Sequence, residues 1–224
     1  KKMLNFFLRI FSRVLMLFLV LPVTNSVKGL VARALGDDTA DREGRITLNP
    51  LAHLDPLGSL AILICGFGWS KPLPINVNNM KSLRKGIILI SLTAPVTHYL
   101  MAILCMNVYT FMSLKLNIAS NAMSALYIIL IFLANINVCL GTIDLLPLPP
   151  LDGFHILYQL ANPKMLNWYH RNHQQINQYS TYILLGLFFI GTLTGGLIDP
   201  LGWLINLVFR LLSVTTAWIP LVFG

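Results

Sequence analysis

The chain has 224 residues, 56% hydrophobic and 11% charged, with a formal net charge of +8 and a mean hydropathy of +0.71. A soluble domain carries about a quarter charged residues, so the composition excludes an ordinary water-soluble enzyme and points to the bilayer. The surplus of Lys and Arg reads as the flank charge of a membrane protein; no polar stretch interleaves basic with aromatic residues, so a nucleic-acid partner is not expected.

The chain opens KKMLNFFLRIFSRVLMLFLVLPV. A basic start before an apolar core suits a signal peptide, but Arg9 and Arg13 interrupt the core and no small-residue cleavage site follows. The expectation is a retained first helix that enters along the interface before it crosses. Apolar runs at 12–34, 86–113, 122–147, 179–198 and 201–223 are each near the ~20 residues that span a bilayer. The run LGSLAILICGFGW (57–69) is too short to cross and suits a re-entrant or buried segment. In SKPLPINVNNMKSLRK (70–85) two prolines alternate with apolar residues, which predicts an extended edge strand or hairpin. ANPKMLNWYHRNHQQINQYS (161–180) is a polar link before the next apolar run.

The fold class is therefore an all-α polytopic membrane protein of about five to six membrane segments, with a small β-hairpin or re-entrant element near 67–80. It is expected to be a single membrane domain over 1–224. Cys65, Cys105 and Cys139 lie in apolar runs without CxxC spacing and read as free thiols. Lys and Arg collect in 28–85 and 164–171, while 114–121 holds only Lys115. The positive-inside rule then puts the 36–85 and 148–178 loops on the cytoplasmic side. Lys1 and Lys2 oppose that orientation unless the first helix is interfacial or further residues precede it.

The most informative stretch is GTIDLLPLPPLDGFHIL (141–157), with Asp144 and Asp152 at the end of a long apolar run and three prolines between them. Proline removes backbone donors, so the freed carbonyls must line a cavity or pack against protein. A charge at the bilayer centre costs about 2.5–3.5 kcal/mol on insertion scales, which makes such a carboxylate a functional hypothesis. The competing reading is that Asp152 only caps the next helix, since D-G before an apolar run is an ordinary start.

Three stretches occur in order: GDDTADREGRITLNPLAHLDPLG (36–58), FGWSKPLPIN (67–76) and PLPPLDG (147–153). With them the sequence resembles the site-2 proteases, intramembrane zinc metalloproteases, in their compact bacterial branch without a PDZ domain. The resemblance runs from Thr24 to Leu157. It implies a site-2 protease-like core over about 12–157, additional C-terminal helices at about 179–223, and a bacterial cytoplasmic membrane with the site facing the cytoplasm. In that family an HExxH on the first core helix supplies two zinc ligands and the general base. The aspartate of the LDG motif supplies the third ligand and leaves a position for water.

Counted back from LGDDTA (35–40), the five HExxH positions hold Thr24, Asn25, Ser26, Val27 and Lys28. Thr24 offers a neutral hydroxyl, Asn25 cannot shuttle a proton, and Lys28 is a cation where a ligand should stand. Glu43, the one glutamate of the chain, lies in a polar loop. Only Asp152 keeps its metal-ligand position, and the family's zinc is expected to be absent. A stranded carboxylate needs a counter-charge, so Lys28, on the same helical face as Thr24, is expected to pair with Asp152 while Thr24 and Asn25 complete the hydrogen bonds. The alternative is that Lys28 snorkels to the interface.

The resemblance also implies a cleft that unwinds a partner's transmembrane segment and pairs it as a strand. Its candidates are Asn49, Pro50, His53, Asp55, Asp144, Pro147 and Pro150. Asp144 stands where relatives usually have asparagine, and TAPVTH (93–98) where they have AGPxSN. Three functions are consistent with this pattern. The first is a pseudoprotease that holds membrane-protein segments as a regulator or complex subunit. The second is an active zinc metallopeptidase with atypical ligands around Asp152, His155 and His98, although those histidines also suit satisfied interior roles. The third is a structural subunit that uses the fold as a lipid-embedded platform. His170 and His173 lie in the polar link and are expected to be solvated.

Overall fold

A computed structural model describes residues 2–65, 68–115 and 121–223. All regular structure among them is helical. α1 (Lys2–Leu15), a π-helical turn (Met16–Val20) and α2 (Leu21–Ala34) form one continuous rod. The π turn has a local cause. Pro22 carries no N–H to return to the preceding turn, and Leu21 N–H bonds instead to the Met16 carbonyl five residues back. The widened turn buries Met16, Leu17, Val20 and Leu21 in the main core with Ile62, Leu133 and Leu140. One turn later it brings Thr24 and Asn25 inward, both buried.

The short helix α3 (Thr39–Arg42) follows, then α4 (Pro56–Cys65). At ten residues α4 cannot cross a bilayer, as its length in the sequence implied. Its C-terminal carbonyls are met by Arg13, whose guanidinium donates to Leu63 O at 2.8 Å and Ile64 O at 3.0 Å. Orphan helix-end carbonyls in an apolar setting need such a donor.

The expected hairpin is not formed. Phe67 lies outside the described residues, 68–76 is extended without strand pairing, and Val77–Asn79 is a single 3-10 turn. Pro72 and Pro74 remove two ladder donors, and the segment is held at its ends instead. Lys71 N–H bonds to His53 O at 2.8 Å, Arg45 donates to Lys71 O at 3.1 Å, and Asn76 N–H bonds to Asp37 at 2.7 Å.

α5 (Leu83–Lys115) and α6 (Asn121–Asp144) pack against each other along their length and carry the centre of the molecule. A seven-residue turn with Pro147, Pro149 and Pro150 leads to α7 (Asp152–Leu160). Gly153 is obligatory there, because a Cβ would collide with the Leu145 and Leu146 carbonyls. α8 runs over Pro163–Leu193, so the polar link is helical. Asn162 explains why, since its side chain accepts from Met165 N–H at 2.9 Å and Pro163 opens the first turn. The apolar run at 179–198 thus falls on the C-terminal part of α8, to Leu193, and on the turn after it. α9 (Pro200–Ser213) and α10 (Trp218–Phe223) close the chain. Among the described residues four helical stretches are long and apolar enough to cross a membrane: Phe6–Ala34, Leu83–Lys115, Met123–Asp144 and Pro200–Val222.

Candidate functional site

Thr24, Asn25 and Lys28 share one face of α2, at the spacing of successive turns. Opposite them the proline turn ends at Asp152, the first residue of α7. Leu151 is the N-cap and has no side-chain cap bond, so Asp152 is not a capping residue and its carboxylate is free to face α2. Lys28 Nζ lies 3.1 Å from Asp152 Oδ1 and 2.9 Å from Oδ2, and each side chain is 18% exposed. The ammonium thus bridges both carboxylate oxygens, and no snorkelling to the interface occurs.

The other two helix positions do not join this pair. Asn25 turns its amide nitrogen to Ser70 Oγ at 3.1 Å. Thr24 Oγ1 is buried without a hydrogen-bond partner among the described residues. The expectation that they complete the Asp152 bonds is corrected: Ser70, in the extended segment anchored by Arg45 and His53, competes for Asn25. Ser26, on the side of α2 toward the loop, donates to Thr47 O at 2.6 Å and fixes that loop to the helix.

These residues border a cavity of about 230 Å³ lined by Thr24, Asn25, Lys28, Trp69, Ser70, His98, Asp144 and Asp152, among others. His98 donates from Nδ1 to Asn137 Oδ1 at 3.0 Å, and Asn137 in turn donates to Leu133 O at 2.9 Å. That chain leaves Nε2 as the acceptor nitrogen of the neutral ring. A second cavity of about 370 Å³ lies on the other side of the pair and is lined by Lys28, Asp152, His155, Ile75, Ile87 and Ser91. His98 borders one cavity and His155 the other, with the ion pair between them. Among the described residues no three His, Cys, Asp or Glu side chains gather as a metal-ligand group.

The LDG aspartate thus faces positions 24–28 of α2, as the resemblance to the site-2 proteases implies. The sequence model of peptidase family M50 matches residues 3–190. The chain belongs to peptidase family M50, the site-2 protease family. Over 137 residues it is 39% identical to the protein named "Putative zinc metalloprotease YwhC" of Bacillus subtilis (strain 168). That match covers 59% of this chain and 61% of the length of that relative. No solved structure matches the chain. As an M50 member with four candidate spans it is an integral membrane protein.

The donor set of this M50 site is a poor match for zinc. A threonine hydroxyl and a lysine ammonium replace two imidazoles, and the one retained carboxylate is engaged by a cation on both oxygens. The remaining cleft candidates are dispersed. Asn49 accepts from Leu51 N–H at 3.1 Å and Asp55 from Gly58 N–H at 2.7 Å, so both cap short helices. Pro50 opens the first of these, a 3-10 turn. His53 is buried, with Nε2–H donating to Thr47 O at 2.7 Å. Burial pushes its pKa below the usual histidine value; the Thr47 bond opposes this and nearby Arg45 adds to it. Pro147 lines a separate apolar cavity of about 300 Å³ with Phe154, Tyr158 and Trp168, while Pro150 follows Pro149 through a cis peptide. Asp144 is the one cleft candidate on the same cavity as Lys28 and Asp152. His170 and His173 are exposed, though Tyr158 Oη sits 3.0 Å from His170 Nε2.

Sequence reasoning did not single out Asn137 or Trp69. Asn137 was visible as an amide inside an apolar run. Trp69 lies in FGWSKPLPIN (67–76), one of the stretches that carry the family resemblance, which reads it as part of the recognition surface without singling out the tryptophan.

Proposed function

We propose that this M50 member binds a membrane-protein segment in the family cleft and holds it without hydrolysis, as a regulator or subunit of a membrane complex. The observation that carries this reading is the Lys28 ammonium on both oxygens of Asp152. A protonated lysine has no lone pair for a metal, and its charge takes the place a dication would fill. Asn25 adds to it, since an amide cannot accept and return the proton that activates water. The holding role is further supported by the cavity between α2, α5 and α6, which Trp69, Ser70 and Asp152 also line. Partners are therefore membrane-protein segments in the surrounding bilayer, and the protein works without zinc.

Metal analysis of the purified chain tests this directly. The expected result is less than stoichiometric zinc and no cleavage of a membrane peptide. Stoichiometric zinc that disappears in Asp152→Ala, with chelator-sensitive cleavage, would establish a working peptidase with atypical ligands instead. The triple variant Thr24→His, Asn25→Glu, Lys28→His should gain zinc that Asp152→Ala removes, because the scaffold that faces Asp152 is already built.

A further inference from the structure

The cleft is lined by two carboxylates, Asp144 and Asp152, and by one cation, Lys28. Lys28 and Asp152 neutralise each other at 2.9 and 3.1 Å. Asp144 lines the same cavity and feels the Lys28 ammonium, which is itself held on both oxygens of Asp152. It is the last residue of α6, where the negative end of the helix dipole makes a carboxylate less favourable. A helix C-terminus beside an anion calls for a cation.

The surrounding groups are what a cation needs. Thr24 Oγ1 is 3% exposed, lines the cavity and has no partner among the described residues. Asn25 commits its nitrogen to Ser70, which leaves its amide oxygen as an acceptor, and His98 keeps Nε2 as one. Trp69, half exposed, supplies an aromatic wall on which a cation can rest. An anionic ligand would meet two carboxylates. A neutral amide can donate to Asp144, Thr24 or His98 but brings no positive charge to the second carboxylate. At about 230 Å³ the space takes a side chain, not a helix of ~10–12 Å diameter.

We propose that the cleft selects membrane-protein segments that carry a lysine or arginine within the apolar stretch, whose cationic side chain enters this cavity and pairs with Asp144. This deepens the holding function and rests on it. Relatives with asparagine at that position would lack the preference.

The test uses the full chain in phosphatidylcholine vesicles and three labelled transmembrane peptides that differ only in a central Lys, Leu or Glu. Resonance energy transfer reads their affinity. The Lys peptide should bind roughly tenfold more tightly than the Leu peptide, the scale of one charge-assisted hydrogen bond, with Glu weakest. Asp144→Asn should shrink the Lys preference over the Leu peptide to about twofold or less, and Asp144→Glu should retain it. Lys and Leu peptides that bind alike would overturn the proposal and leave the holding function standing. A preference that survives Asp144→Asn, a preference lost when sodium replaces choline in the buffer, or failure to bind any peptide would also overturn it. Lys-peptide binding followed by cleavage would keep the charge preference and refute holding without hydrolysis.

Discussion

Two carboxylates in this protein are held in opposite ways. Asp37, fully buried in the polar loop after α2, is surrounded by neutral donors: Thr39 N–H at 3.2 Å and its hydroxyl, Asn79 Nδ2 at 3.0 Å and Asn76 N–H at 2.7 Å. Asp152, at the floor of the cleft, is held by one ammonium. Dipoles from several segments knit a loop together, because each donor comes from a different stretch of chain. A single counter-ion does something narrower. It cancels a charge and ties two helices at one point.

The sharpest way to break this contrast is Lys28→Met. It strands the Asp152 charge and should lower stability by about 3 kcal/mol, read as a fall in thermal unfolding temperature in detergent. Adding Asp152→Asn should recover most of the loss; if the single variant melts with the wild type, the pair is ornamental. Asp37→Asn comes next, with a loss of about 1.5–3 kcal/mol, because its amide group points donors at donors. Faster hydrogen exchange at 36–45 and 76–79 would report it.

The same carboxylate gives a pH signature. Burial alone would raise the Asp37 pKa, but the side chains of Thr39 and Asn79 and the backbone N–H groups of Asn76 and Thr39 bring it below the usual 3.8. Its stabilisation is therefore complete above the unfolded-state value and fades as pH falls through the lower folded-state value. Exchange protection of this loop should persist well into the acid range in the wild type and not in the variant.

Smaller effects sharpen the picture around Asp152. Gly153→Ala forces a methyl onto the Leu145 and Leu146 carbonyls and should cost about 1–3 kcal/mol. A Gly153→Ala protein as stable as the wild type would mean that α7 can move away from the proline turn. The smallest effect concerns His53, whose folded pKa is depressed by burial. Its contribution is whole above the unfolded value of 6.5 and is lost as pH drops, so the 45–53 loop should loosen first on mild acidification. Limited proteolysis between pH 7 and pH 5 reads this, and a His53→Gln variant should flatten the dependence.

Much of the site was legible in the one-dimensional string because it is built from local patterns. Thr24 and Lys28 lie one turn apart, so any helix puts them on one face. The proline run must unwind a helix, so Asp152 had to begin something new. Asn25 was less legible, since its partner Ser70 is distant in sequence and is placed by a loop. The hairpin expected at 67–80 failed for a related reason. Alternation of prolines and apolar residues fixes an extended backbone but cannot say whether a pairing strand lies beside it.

The helix at 163–180 was hidden because its polar face masks the Asn162-Pro163 start. The π turn at Met16–Val20 needed the coordinates, although Pro22 was its visible cause.

The amino-acid string by itself determined that this chain lies in a membrane and that threonine, asparagine and lysine stand at 24, 25 and 28, where the family resemblance looks for HExxH, with Asp152 in the LDG motif. Composition and residue identity decide those matters, since no packing can make an ammonium into a zinc ligand. Only the tertiary structure decided which way Lys28 points, that Asp144 shares its cavity, and that Asp37 binds the polar loop together. Those outcomes depend on distances between segments far apart in the chain, where charge and hydrogen-bond geometry act across space and leave no mark on local sequence.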